Sequence, residues 1–377
     1  MTETLSDLRA CFPVSETWIY FNHAAVCPLA TPVARAVESF LADAVANGST
    51  GFRTWDAKRA SARRQIAALV GCREMDVALT TSTSQGLIAV AEGLPLASDD
   101  EIIVIEDDFP ANRIPWFRQE KRGARIVEVP RDVAGRVTSE AILERVNDRT
   151  RILAIPYVLF DNGYRIDLEA VGRGLGDHPA WFCVDAIQGL GAFPMDMAGW
   201  RIDALSADSH KWMLGTEGIG LFCVRAERLD ELDSPLVSWF SMAQPFAPWQ
   251  RGAPLREDAR RHEFASLPTA LVFGLDACLE LLLSTGVDAI SQQVLALTDA
   301  LVEGLTARGW EVRSPRGEPA RCSGIVSAAP PTGSPDEAVA ALEAAHVSVT
   351  PRGGAVRFSP HGWNTLDEVG SLLERLP

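Results

Sequence analysis

Between residues 77 and 224 the chain alternates two rhythms. Apolar runs of about four or five residues are each followed by stretches whose apolar side chains recur at helical intervals. The runs are Val77-Ala-Leu-Thr, Glu101-Ile-Ile-Val-Ile-Glu, Ala124-Arg-Ile-Val-Glu-Val, Arg151-Ile-Leu-Ala-Ile-Pro-Tyr-Val, Trp181-Phe-Cys-Val-Asp, Ile202 to Ser206, and Gly220-Leu-Phe-Cys-Val-Arg. Helices are expected from Leu87, over 111–121, over 139–147 and over 168–175. Strands that are apolar throughout, rather than every second residue, belong to a sheet covered on both faces. The pattern therefore predicts an α/β fold built on a mostly parallel sheet.

The flanks read differently. Trp18 to Leu29 is an apolar strand running into a turn of small residues, and 31–70 is helical except for a break at Asn47-Gly-Ser-Thr-Gly51. The second of these helices is expected from Asp56 to Val70, capped by Gly71. Residues 226–265 are irregular and rich in Pro, Trp and Phe. Helical stretches follow over 268–286 and 288–308. Strand, helix, strand and helix then succeed one another over 324–327, 336–346, 355–359 and 366–376, the pattern of a small α+β domain. The expected division is an N-terminal segment, 1–20, packing with the small domain; a large domain, 21–265; and a small C-terminal domain, 266–377.

Composition narrows the function classes. At 377 residues the chain exceeds one ordinary core. A net charge of −15 argues against nucleic acid or an anionic membrane as partner. No apolar run approaches the roughly 20 residues that span a bilayer, and the acidic start (Met-Thr-Glu-Thr-Leu-Ser-Asp) is unlike a secretory signal. The seven cysteines stand singly, with no C-x-x-C pair, and the six histidines show no metal-ligand spacing. Reduced thiols, a cytoplasmic location and no metal are the expectation.

The chemistry gathers on one amine. Lysine occurs only at 58, 121 and 211. Lys58 and Lys121 sit in charged, helical surroundings, whereas Lys211 follows the apolar Ile202–Leu205 and precedes Trp-Met-Leu and a glycine-rich turn. Burial there lowers an ammonium pKa and favours the neutral nucleophile that a Schiff base requires. A lysine merely paired with Asp208 or Glu217 is the alternative. Thr81-Ser-Thr-Ser-Gln-Gly86 joins a strand to a helix, where hydroxyls and free N–H groups suit either a phosphate or a simple N-cap. Asp185 ends an apolar strand and needs either a cation or several donors. Gln188 lies close behind it.

Phosphate turn, carboxylate and lysine, each just after a strand, are the three handles of pyridoxal phosphate. In Asp185-Ala-Ile-Gln188 and Asp208-Ser-His-Lys-Trp-Met-Leu-Gly-Thr-Glu-Gly the chain resembles the class V aminotransferases of fold type I pyridoxal-phosphate enzymes. That family also holds cysteine desulfurases, isopenicillin N epimerase and kynureninase. The resemblance runs from Tyr20-Phe-Asn-His-Ala-Ala to Asn364-Thr-Leu-Asp-Glu-Val. It implies that Lys211 carries the cofactor as an aldimine and moves the proton at the substrate α-carbon. It implies further that Asp185 holds the pyridine nitrogen protonated, Gln188 faces the ring oxygen, and Phe109 stacks on the ring. Thr83 and Ser84 match the family's phosphate pair, with Asp208 and His210 nearby. Ser266 stands at a threonine position whose hydroxyl reaches the phosphate of the other subunit, which implies a homodimer with shared active sites. Arg357 matches the arginine that grips the substrate α-carboxylate, and Asn22 and His23 fall in a substrate-contact turn.

Departures from the family pattern bear on the reaction. Many cysteine desulfurases carry histidine where Phe109 stands, asparagine where Phe160 stands, and a nucleophilic cysteine on a loop before the carboxylate arginine. Here no cysteine lies between Cys322 and Pro377, which argues against persulfide transfer through that loop. Aminotransferase-like or epimerase-like action at the α-carbon of an amino acid is the leading reading. A C–S lyase or kynureninase-like reaction is the alternative within the enzymes. A non-enzymatic regulator of the same fold is the alternative outside them, though no DNA-binding module is attached. The absence of G-x-G-x-x-G after an early strand disfavours a dinucleotide oxidoreductase.

Overall fold

The computed structural model describes residues 4–377. Its strands are β1 (Ile19–Tyr20), β2 (Val77–Thr80), β3 (Glu101–Ile105), β4 (Arg125–Val129), β5 (Thr150–Pro156), β6 (Trp181–Asp185), β7 (Ala204–Asp208), β8 (Gly220–Val224), β9 (Glu311–Val312), β10 (Val326–Ala329), β11 (Val347–Ser348), β12 (Thr350–Arg352) and β13 (Ala355–Phe358). The α-helices are α1 (Leu5–Ala10), α2 (Thr31–Asn47), α3 (Phe52–Val70), α4 (Thr83–Gly93), α5 (Ile114–Phe117), α6 (Ser139–Leu143), α7 (Leu168–Leu175), α8 (Thr269–Thr285), α9 (Val287–Ala307), α10 (Pro335–Ala344) and α11 (Leu366–Glu374).

A seven-stranded sheet in the order β2-β8-β7-β6-β5-β3-β4 forms the centre. The pairs β7–β6, β6–β5, β5–β3 and β3–β4 are parallel, and β8 alone runs against its neighbours. Alternate residues serve opposite faces. Leu79, Ile103, Ile155, Val184 and Leu205 pack into one core, while Ala78, Val104, Ala154, Cys183 and Phe222 pack into a second. Burial on both faces is what the continuous apolar runs require. Because β2, β3, β5, β6 and β7 point the same way, their carboxyl ends meet at one edge of the sheet, where such folds bind ligands.

A third core joins Phe21 near the N-terminus to Leu297, Leu301, Val326, Val356 and Phe358. Over it lies the antiparallel sheet β12-β13-β10-β9. The N-terminal arm belongs to this body: β1 pairs with β11, Phe12 stacks on Trp363 with ring centroids 4.6 Å apart, and Arg9 bonds Glu368 at 3.0 Å. Leu275, Leu279 and Leu282 of α8 share the first core with Val33, Ile66 and Val70 of α2 and α3, and Ile290 and Val294 at the start of α9 join them. The apolar content of α8 on nearly every side suits a helix packed between neighbours.

Sequence and structure differ at some boundaries. α3 starts at Phe52 rather than Asp56, and the 111–121 helix is a single α-turn, α5, flanked by 3-10 turns. Pro115 in that segment, with no N–H to donate, limits a longer α-helix.

Candidate active site

α4 begins one turn earlier than the apolar periodicity suggested. Ser82 caps it by accepting from Gln85 N–H at 3.2 Å, so Thr83 and Ser84 form its first turn. First-turn N–H groups have no partner within the helix and carry the positive end of its dipole. Gly86 brings this turn onto the sheet, since a β-carbon there would lie 2.4 Å from Ser206 Oγ. The close approach lets Asp208 N–H donate to Thr83 Oγ1 at 2.8 Å and Ser206 Oγ donate to Thr83 O at 2.9 Å.

Opposite this turn a cavity of about 230 Å3 opens among Ser82, Thr83, Ser84, Asp108, Phe109, Phe160, Asp185, Gln188, Asp208, His210 and Lys211. Lys211 is buried, and its Nζ makes no hydrogen bond among the described residues. It lies 5.6 Å from the centre of the Phe109 ring. Burial lowers its pKa to about 8; Asp185 opposes the shift, and the positive Arg357 adds to it. The neighbouring Trp212 anchors the loop, its carbonyl bonded to His361 Nε2 at 3.1 Å. The His210 carbonyl accepts from Cys27 N–H at 2.7 Å.

Asp185 is the counter-charge. Its Oδ1 accepts from Ile187 N–H at 3.0 Å, and Oδ2 takes no hydrogen bond among the described residues. Burial raises its pKa to about 6, against the lowering effects of that hydrogen bond and of Lys211. A buried carboxylate with one oxygen idle is costly unless a cation or donor completes it.

The other expected residues divide. Gln188 reaches the cavity, but its amide is spoken for: Nε2 donates to Ala24 O and Oε1 accepts from Trp212 Nε1, both at 3.0 Å. One N–H remains to face a ring oxygen. His210 Nδ1 stands 2.9 Å from Asp208 Oδ1 without a hydrogen bond between them. Arg357 lies behind Phe160, 2% exposed, with Nη1 donating to Phe160 O at 2.7 Å and Nε unpartnered. Asn22 Oδ1 accepts from Thr350 Oγ1 at 2.6 Å, and Thr350 pairs across the strands with Arg357.

His23 must be withdrawn from the substrate contacts. It is fully buried, its Nδ1 donates to Ser359 O at 3.0 Å, and its Nε2 accepts from Trp363 Nε1 at 3.1 Å. Both nitrogens are used inside the core, and burial pushes its pKa well down. Ser266 is exposed and away from the cavity of its own chain.

Two features escaped sequence reasoning. Asp108 lines the cavity beside Phe109, its carboxylate accepting from Phe109 N–H (2.7 Å) and Asn112 Nδ2 (2.8 Å). Burial and the negative Asp185 raise its pKa to about 7. In the sequence it is one of three consecutive acids, which reads as solvated loop. Glu263, also fully buried, is gripped by Arg63 at 2.6 Å and accepts from Leu79 N–H at 3.0 Å. No local signal marks that partnership.

The comparisons with known proteins bear on this arrangement. The model of the family described as "Aminotransferase class-V" matches residues 19–359. The chain belongs to that family. It is accordingly a pyridoxal-phosphate-dependent enzyme, with the fold expected from the resemblance. An uncharacterized aminotransferase of Bacillus subtilis is 26% identical over 370 residues, covering 98% of this chain and 96% of its relative. The apo structure of a cysteine desulfurase from Thermococcus onnurineus superposes with a TM-score of 0.90 at 24% identity, over 99% and 97% of the two chains. A cystine C–S lyase in complex with cysteine persulfide gives 0.88 at 22%, over 97% and 98%. These structural likenesses speak for the fold.

The class-V cofactor fits the residues present. Its phosphate suits the unpaired first turn of α4, and its protonated ring nitrogen suits the idle oxygen of Asp185. Its aldehyde suits the unpartnered Lys211, and its ring face suits Phe109, which is 38% exposed at the cavity wall.

Proposed function

We propose that this cavity holds pyridoxal phosphate on Thr83, Ser84, Asp185 and Lys211, and that the enzyme works at the α-carbon of an amino acid in the manner of an aminotransferase or epimerase. When bound, the cofactor supplies an electron sink for the pair of electrons left when a bond at that carbon breaks. The chain does the rest. The first turn of α4 holds the phosphate by its N–H groups and by the hydroxyls of Thr83 and Ser84. Asp185 keeps a proton on the ring nitrogen because a buried anion stabilises the adjacent cation. Phe109 covers one face of the ring and keeps water from it. Lys211, half neutral near pH 8, takes and returns the proton at the α-carbon. Arg357 orients the α-carboxylate through its remaining N–H groups.

The observation that carries this reading is the pairing of an unbonded buried amine with a buried carboxylate that has an oxygen to spare. Persulfide transfer is disfavoured because β12 and β13 are joined by Gly353 and Gly354 alone, and no cysteine stands between Cys322 and Arg357. Exposed Trp239, Phe246, Trp249 and Phe264 support a homodimer in which Ser266 completes the partner's phosphate site. A large domain through α8 and a small domain from α9 onward, joined by the N-terminal arm, is the division the cores favour. No single helix among the described residues is long and apolar enough to cross a membrane.

The deciding experiment is retention of the cofactor after borohydride reduction and denaturation. Wild-type protein keeps it covalently, and Lys211→Ala releases it. Retention by the variant would place the attachment elsewhere. With amino acids added, exchange of the α-hydrogen with solvent deuterium marks work at the α-carbon. Release of cysteine persulfide, pyruvate and ammonia from cystine, or of sulfide, pyruvate and ammonia from cysteine, with no keto acid present would mark the C–S lyase alternative.

A further inference from the structure

Arg352 is exposed beside the Phe160 wall of this cavity, on the rim of a neighbouring cleft, and makes no ion pair among the described residues. It ends β12 at a two-residue turn, Gly353-Gly354, whose φ values of +57° and +72° are the pair a tight hairpin of this hand demands. The cross-strand register sets Arg352 opposite Ala355 and Thr350 opposite Arg357. Residues paired across strands, and residues two apart along one strand, share a face. Arg352 and Arg357 are therefore diagonal neighbours on one side of the hairpin. Arg313 pins the turn by donating from Nη1 to Gly353 O at 3.2 Å and Gly354 O at 3.1 Å.

Phe160 links both arginines to the reacting centre. Its carbonyl accepts from Arg357, and its ring lies 6.0 Å from the Arg352 guanidinium carbon. The same ring meets Phe109 edge-on, with centroids 5.4 Å apart, and Phe109 in turn faces Lys211. The charge of Arg352 acts to lower the pKa of both Arg357 and Lys211. Other arginines nearby are neutralised: Arg131 bonds Asp161 at 2.6 Å and Arg313 lies 3.8 Å from Glu311. Arg352 has no carboxylate within ion-pairing distance among the described residues.

We infer that Arg352 is a specificity-determining residue that binds a second carboxylate on the substrate, so that the preferred amino acids are dicarboxylic. The inference rests on the functional reading above, in which Arg357 takes the α-carboxylate. With that arginine occupied, the side chain of the substrate extends along Phe160 toward a second guanidinium. A planar fork of N–H donors suits a planar carboxylate and discriminates against its neutral amide.

The test is a spectral titration of the holoenzyme with L-aspartate, L-glutamate and L-2-aminoadipate beside L-asparagine, L-glutamine and L-norvaline. Wild type is expected to bind at least one dicarboxylic acid about tenfold more tightly than its neutral counterpart, a fold-change of about 1.4 kcal/mol. In Arg352→Gln the ratio is expected to fall close to one, and Arg352→Lys to restore part of it. A ratio near one in wild type, or an unchanged ratio in Arg352→Gln, overturns the proposal. Calorimetric binding of glutarate against butyrate, neither of which has an amine to react, reads the same arginine without the lysine chemistry. Loss of glutarate preference in Arg352→Gln supports the proposal even if amino acids leave the spectrum unmoved, a result that would strike the amino-acid reading instead.

Discussion

Asp108 and Asp185 put two carboxyl groups against one cavity wall, and only one of them has a cation to meet. Asp108 is raised from the usual 3.8 to about 7 by burial first and by Asp185 second. The folded state therefore holds more protons than the unfolded chain between those values, and stability contributed here falls as pH rises through that window. The penalty is complete above pH 7 and fades toward pH 4. Asp108→Asn removes it at the cost of one bond from Asn112. Relative to wild type, the variant should gain on the order of 2–4 kcal/mol between pH 4 and pH 8. Urea midpoints of cofactor-free protein at the two pH values measure this, and an identical gap at both would refute it.

The same scale separates what local sequence reveals from what it hides. Lys211 was legible because an apolar run led straight into a rare amine. Asp185 was legible for the same reason, a charge closing four apolar residues. His23 misled because a polar residue in a small-residue turn looks alike whether it meets a substrate or Ser359 and Trp363, which lie more than 300 positions away.

Among the elements, α4 bears most on the cofactor site. Its dipole and first-turn donors matter only if the helix touches β7, and Gly86 sets that distance. In Gly86→Ala the new methyl meets Ser206 Oγ at 2.4 Å and Phe222 at 2.8 Å, so helix or strand must shift. The Thr83–Asp208 bond should lengthen. Overpacking of this kind costs about 1–3 kcal/mol, and affinity for pyridoxal phosphate should weaken beyond the loss of stability. Equilibrium dialysis of the cofactor, paired with thermal melts, separates the two effects. Normal affinity in a destabilised protein would show that the contact is structural alone. The alternation of strand and helix was readable because both sheet faces are buried. The start of α4 was not, because capping residues rather than apolar spacing begin a helix.

For the whole molecule, the Arg63–Glu263 pair fastens α3 and β2 to the segment that carries Ser266. Arg63 and Glu263 are both buried, so removing one charge strands the other. Glu263→Leu alone should cost about 3–5 kcal/mol, while the double variant with Arg63→Met should recover much of that. Denaturant unfolding of the two singles and the double tests this, and strict additivity would contradict a coupled pair. Such a partnership across 200 positions leaves no trace in local pattern.

The N-terminal arm carries a consequence for biosynthesis. Arg9 and its acceptor on Trp363 are 354 residues apart, and β1 can pair with β11 only after residues 347–348 exist. During translation the central sheet emerges and can collapse while this arm has nothing to hold. The arm, made before the sheet, is then among the last pieces to dock, closing a loop around everything between β1 and β11.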